Sequence, residues 1–149
     1  MKKPTLLVSA CLLGVCCRYD GECKPCDQVI KLRERFTLLP VCPEVDGGLP
    51  TPRTPSERVG DKVLMRDGKD VTHNYRLGAE MALDRAESFG VSAAVLKARS
   101  PSCGKGKIYD GSFSGSLTDG HGVAAELLIN KGIKVYSEEE IEDLLKEIS

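Results

Sequence analysis

The sequence predicts a single-domain α/β fold over residues 1–149, with a mainly parallel sheet of about four strands between flanking helices. Three observations carry this. Short apolar runs alternate with helical patterns along the whole chain, the order that a parallel sheet with crossover helices requires. The runs are apolar at nearly every position instead of at every second one, so each strand is buried on both faces. Finally, 149 residues is the length of one domain with one core. The architecture expected is three-layered and Rossmann-like, with a small β-hairpin excursion.

Each element has a local reason. Thr5-Leu6-Leu7-Val8-Ser9-Ala10 is the first strand and stops at Cys11. Residues 11–24, rich in glycine and cysteine, form a loop, after which Asp27 caps a helix carrying Val29, Ile30, Leu32 and Phe36 and ending near Arg35. Phe36-Thr37-Leu38-Leu39-Pro40-Val41 is the second strand and runs into Cys42, with Pro40 weakening its last rungs. Between Asp46 and Pro55 the prolines and glycines define a shaped loop. Asp67-Gly68 sits between two short extended runs within Val63–Val71, which is hairpin turn chemistry. Thr72 caps a long helix from His73 to about Phe89, with Leu77, Met81, Ala82 and Leu83 as its apolar face and Gly90 closing it. Val91–Lys97 is the third strand, followed by a turn that ends in Cys103. Val123, Ala124, Leu127 and Leu128 mark another helix, Ile133–Tyr136 a last strand, and Glu138–Ile148 an acidic helix.

Composition narrows the function. Hydrophobic residues are 41% and charged residues 29%, the proportions of a globular domain. No apolar run reaches the roughly 18 residues of a membrane span, and the apolar stretch after Met1-Lys2-Lys3-Pro4 is too short for a signal peptide. Lys plus Arg is 21 against Asp plus Glu 22, so no overall field draws the protein to a polyanion. With no Trp, three Phe and four Tyr, stacking platforms for single-stranded nucleic acid are scarce. Seven cysteines without an export signal point to the cytoplasm, where disulfides stay open, and to thiolate or metal chemistry.

Three strand exits carry three cysteines: Cys11, Cys42 and Cys103. In open parallel sheets, ligands bind beyond the carboxyl ends of the strands, where the strand order reverses. If the first strand is central, with the second and third beside it, these thiols converge on one pocket. Three thiolates on rigid elements suit an iron–sulfur cluster or a soft metal; as isolated residues, each would equally serve as a small buried hydrophobe. Cys23-Lys24-Pro25-Cys26 with Cys16-Cys17 offers a second arrangement, a cramped zinc knuckle. His73 and His121 form no metal-ligand pair and read as capping or surface residues. The Cys11 loop lacks the Arg spacing of a cysteine phosphatase, and Cys103–Lys107 lacks the nucleotide P-loop order. Arg18, Arg53, Lys97, Arg99, Lys105 and Lys107 flank these loops, placed either to hold an anion or to be solvated charge.

Five ordered motifs then carry a resemblance across nearly the whole chain: Ser9-Ala10-Cys11-Leu12-Leu13-Gly14 with Cys17-Arg18-Tyr19-Asp20-Gly21, Cys42-Pro43-Glu44, Gly47-Gly48-Leu49-Pro50-Thr51-Pro52-Arg53, Lys97–Gly104, and Tyr109-Asp110-Gly111-Ser112-Phe113. Together they resemble the thiouracil desulfidase family of small iron–sulfur proteins. The resemblance implies a 4Fe-4S cluster held by Cys11, Cys42 and Cys103, with Cys17 in reserve and one iron open to a thione sulfur. It implies non-redox removal of sulfur, as hydrosulfide, from 4-thiouracil or its nucleoside or nucleotide, with thiolated RNA the one nucleic-acid substrate in view. Glu44 would be the general base that activates water, and Ser100 would orient the base or relay a proton. Two alternatives accompany this reading: a sulfur carrier or other cluster-dependent step, and a zinc-bound module on Cys16, Cys17, Cys23 and Cys26.

Overall fold

The computed structural model describes residues 3–148; Met1 and Lys2, and with them the start weighed above as a signal segment, lie outside these. The chain runs through β1 (Thr5–Ser9), a 3-10 turn (Ala10–Leu13), α1 (Asp27–Ile30) continued by a 3-10 turn (Lys31–Glu34), β2 (Thr37–Val41), α2 (Pro43–Asp46), β3 (Ser56–Val59) and β4 (Lys62–Met65). It continues through α3 (Thr72–Ser88), β5 (Ala93–Leu96), β6 (Lys107–Tyr109), β7 (Leu117–Asp119), α4 (Val123–Asn130), β8 (Lys134–Ser137) and α5 (Ile141–Ile148). The main sheet is four-stranded and all parallel, in the order β2-β1-β5-β8. β1 therefore lies between β2 and β5, and the order reverses beside it. Pro40 is accommodated because β2 is an edge strand, where a missing N–H costs no central rung.

The sheet divides the core into two. On one face Leu7, Ala94, Leu96 and Val135 pack with Ala82 and Ala86 of α3 and Ala125 and Leu128 of α4. On the other, Leu6, Val8, Ala93, Val95 and Tyr136 meet Val29 of α1 and Leu144 of α5. Alternate residues of β1 serve opposite faces, as pleating requires, and the result is the expected three-layer, Rossmann-like architecture. None of the helices among the described residues is long and apolar enough to cross a membrane.

Several local expectations are corrected. The helix from Asp27 is broken into an α-turn and a 3-10 turn, with Cys26 in the capping position and no side-chain cap. The main hairpin is one turn earlier than predicted: β3 pairs with β4 through Gly60 and Asp61, and the Asp67-Gly68 turn only folds the chain back to a single bridge between Leu64 and Asp70. A further hairpin, β6–β7, carries no turn motif that periodicity could find. In α3, Leu77 and Met81 are exposed, and the buried face is Tyr75, Gly78, Ala79, Ala82 and Ala86. Small residues there let α3 approach its neighbours closely. A Cβ on Gly78 would meet the Pro43 carbonyl oxygen at 1.8 Å, and one on Gly47 the Asn74 carbonyl oxygen at 2.0 Å, so α2 lies backbone to backbone on α3. Thr72 does not cap α3 either; its Oγ1 accepts the Val63 N–H, and Asp70 accepts the Thr72 N–H.

Candidate active site

All parallel strands end at one edge of the sheet, and a cavity of about 430 Å³ opens there. Cys11 lies in the 3-10 turn after β1, Cys42 directly follows β2, and Cys103 ends the turn after β5. These three thiols and that of Cys17 all line the cavity. Cys17 lines the cavity beside Cys11 and Cys42, and the Cys42 thiol donates to the Cys17 carbonyl oxygen at 3.9 Å. The hydrogen bond to Cys11 and burial hold the Cys17 thiol above its usual range, against the opposing bond with Cys42. The bond with Cys17, followed by burial, pushes the Cys42 thiol up as well. Burial pushes Cys103 up to about 12, against hydrogen bonds with Ser9 and Ser102. Burial disfavours bare thiolates here, and a cationic inorganic group is what would offset that cost on binding.

Backbone packing explains the placement of Cys103. The first N–H groups of α4 are satisfied by the turn itself: Val123 donates to Pro101 O, and Ala124 and Ala125 donate to Ser102 O. Gly122 makes this approach feasible, since a Cβ there would lie 2.5 Å from the Ser102 carbonyl carbon. Ser9 Oγ accepts the Lys97 N–H at 2.9 Å, tying the exits of β1 and β5 together.

Glu44 stands in the first turn of α2, two residues after Cys42. Its Oε1 accepts Arg53 Nε at 3.1 Å and Nη2 at 3.0 Å, and its Oε2 accepts the Ser102 hydroxyl at 2.9 Å. The Arg53 side chain is 3% exposed and also reaches the Cys17 carbonyl at 2.9 Å, so one guanidinium clamps both the carboxylate and the thiol loop. Ser100 Oγ accepts the Cys103 N–H at 2.7 Å and lies 3.3 Å from Ser102 Oγ. Tyr75 approaches from α3; burial and then the Glu44 charge push its phenol above the usual range.

The structure thus brings Cys11, Cys42, Cys103, Glu44 and Ser100 together at one cavity. Sequence reasoning did not single out Ser102, Tyr75 or the clamping role of Arg53. Ser102 was legible only as a neighbour of Cys103, and its link to Glu44 spans 58 residues. Glu57 was missed too: it is 8% exposed, and its Oε1 accepts the N–H groups of Gly111 and Phe113, fastening the β6–β7 loop to the cavity rim. All six flanking cations are matched by carboxylates: Arg18 by Asp20, Arg53 by Glu44, Lys97 by Glu138, Arg99 by Glu139, Lys105 by Glu140 and Lys107 by Asp119. His121 is a local hydrogen-bond acceptor for the Gly106 N–H.

The zinc knuckle does not form. Cys16 and Cys23, seven residues apart, are joined as a disulfide, contrary to the expectation of open thiols; Cys17 turns into the cavity, and Cys26 packs half-buried against the α1–α5 side of the core. Among the described residues, no three cysteine, histidine or carboxylate side chains converge on a point that would hold one metal ion. A four-iron cluster makes a different demand, because each of its thiolates binds its own iron. Separate thiols around one cavity, with no imidazole among them, match that donor chemistry.

A doubly wound parallel sheet that gathers soft sulfur donors at its switch point, beside a clamped carboxylate, defines a Rossmann-like protein whose ligand sits among cysteines. The comparisons narrow that class. Residues 6–140 match the family model for 2-thiouracil desulfurase, and the chain belongs to that family. It is 41% identical to the protein YbbK of Bacillus subtilis (strain 168) over 94% of this chain and 99% of that one. It also superimposes on a solved structure of the [4Fe-4S]-dependent thiouracil desulfidase TudS with a TM-score of 0.91, at 44% identity, over 97% of each chain.

Proposed function

We propose that this protein is a [4Fe-4S]-dependent desulfidase of thiolated uracil. One observation carries the reading: thiols from the ends of three different strands gather at one cavity with Glu44 beside them. Cys11, Cys42 and Cys103 would hold the cluster, each from a different strand exit. When bound, the cluster supplies a Lewis-acidic iron for the soft thione sulfur. Cys17 stays a neutral neighbour, because a fourth thiolate would close the position that the substrate needs.

The remaining work falls to the chain's own groups. Glu44, fixed by Arg53, is the general base that takes a proton from the attacking water. Ser100 orients the pyrimidine at the cavity wall. The cavity of about 430 Å³ would have to take both the cluster and the pyrimidine ring. We place 4-thiouracil, or its nucleoside or nucleotide, as the substrate; the 2-thio isomer named in the family's description is the comparison to assay beside it.

The test is anaerobic reconstitution with assays of iron, acid-labile sulfide and loss of thione absorbance. The parent and Cys17→Ala load four irons and turn over, whereas Cys11→Ala, Cys42→Ala and Cys103→Ala fail to hold the cluster. A Cys103→Ala protein with full iron and sulfide overturns the ligand set. A loaded parent that leaves both thiouracil isomers and their nucleotides intact overturns the activity.

A further inference from the structure

Ser100 and Glu44 are joined only through Ser102. Ser100 Oγ lies 3.3 Å from Ser102 Oγ, and the Ser102 hydroxyl donates to Glu44 Oε2 at 2.9 Å. A hydroxyl has one proton to give. Ser102 gives its proton to the carboxylate, a stronger acceptor than the Cys103 sulfur 3.6 Å away. Ser100 must then be the donor in the contact between the two serines. Its own oxygen accepts the Cys103 N–H, which fixes the rotamer. On Glu44, Oε1 already receives two Arg53 donors, which leaves Oε2 as the oxygen able to take a further proton. The hydrogen bonds therefore run in one direction, from the cavity wall at Ser100 through Ser102 to Glu44.

We propose that Ser102 is a proton-relay residue that carries the proton of the attacking water from Ser100 to Glu44; the inference rests on the desulfidase reading above. The water oxygen forms a bond to the thione carbon. One water proton passes to Ser100 as the Ser100 proton passes to Ser102 and the Ser102 proton to Glu44 Oε2. As the C–O bond forms, the π pair of the C=S bond moves onto sulfur. The remaining C–S bond then breaks with its pair on sulfur. The second water proton passes to sulfur to give hydrosulfide, and the O–H pair it leaves behind completes the C=O bond. Both serines end neutral, Glu44 ends protonated, and no oxidant or reductant is consumed. Arg53 acts as a positioning residue, holding Oε2 toward Ser102.

The experiment uses the cluster-loaded full chain and single-turnover loss of 4-thiouracil absorbance in mixtures of light and heavy water. Ser102→Ala is expected to keep its iron and sulfide content and its thermal midpoint, and to lose on the order of a hundredfold in maximal rate, with half-saturation little changed. Ser102→Thr restores most of the rate. Adding Ser102→Ala to Ser100→Ala costs little more than Ser100→Ala alone, because both break one chain. The parent's rate bows downward with deuterium fraction, as several protons in flight require, and the Ser102→Ala plot straightens. A Ser102→Ala rate within a few-fold of the parent overturns the relay. A straight plot for the parent overturns it too, and that measurement needs no variant. A loaded parent with no turnover at all overturns the desulfidase reading and the relay with it, whereas an active parent with either of the preceding results overturns the relay alone.

Discussion

At the scale of single residues, the mechanism proposed above gives Glu44 the chemistry and Arg53 the task of holding it. The Arg53 guanidinium binds one Glu44 oxygen and Ser102 the other, so an isosteric amide can keep both contacts while losing the base, at a cost in stability because the buried guanidinium loses its counter-charge. Glu44→Gln keeps the size and most of the hydrogen bonding. It should load iron and sulfide like the parent while the single-turnover rate falls by about 10²–10⁴-fold, the usual worth of a positioned base. A rate within a few-fold of the parent would make Glu44 a loop residue paired with Arg53 and nothing more.

At the scale of elements, the position of α2 is decided by two glycines. Because a Cβ on Gly78 would enter the Pro43 carbonyl, Gly78→Ala must push α2 off α3, carrying Cys42 and Glu44 with it. Overpacking of this kind costs about 1–3 kcal/mol, to be read from urea melts of the apoprotein, and the loaded variant should also react more slowly. A variant as stable and as active as the parent would show that α2 tolerates the shift. The docking of α5 gives a prediction in pH. Burial opposes the Glu140 charge, but the Ser137 N–H and Lys105 overcome it and hold this carboxyl below its usual range. A depressed folded-state pKa gives stability that is present above the unfolded value, about 4.3 for Glu, and lost as pH falls through the folded one. Glu140→Gln should therefore be less stable than the parent at neutral pH, with the difference shrinking as the pH is lowered below about 4. A difference that stays constant with pH would show that the charge contributes nothing there.

At the scale of the whole molecule, stability and site share one sheet. Leu7 is fully buried at the centre of β1, between strands that carry Cys42 and Cys103 at their exits. Leu7→Ala should cost about 2–5 kcal/mol in urea unfolding of the apoprotein with an unchanged slope. Cluster content should fall along with stability, since the strand exits are positioned by that packing. Unchanged stability would mean that the α3–α4 side of the core collapses into the gap. The three layers were legible in advance because a parallel strand buried on both faces leaves a nearly unbroken apolar run, which β1 and β5 show, whereas the edge strands show it only in part: β2 exposes Thr37 and Pro40, and β8 opens on exposed Lys134. The β6–β7 hairpin was not, because its strands are three residues each and the Leu117–Asp119 strand is exposed throughout. The face of α3 was misread because apolarity was weighed by side-chain size, whereas the helix buries alanine and glycine to come close and leaves Leu77 and Met81 outside.

The layers, the strand exits and the cysteines standing at them were all readable from the order of residues, because these depend on short-range periodicity and on the topology that parallel strands impose. The same order also carried the motifs that placed Cys11, Cys42, Cys103, Glu44 and Ser100 in one site. Which groups touch was settled by the folded chain alone. Cys17 joins the thiols while Cys16 pairs with Cys23, Arg53 clamps Glu44, and Ser102 stands between Glu44 and Ser100. Those choices rest on side-chain contacts that the fold selects, from a covalent S–S bond across seven residues to the Ser102–Glu44 hydrogen bond across 58. Such bonds leave no periodic trace, because their partners meet only after the sheet has set the register of its strand ends.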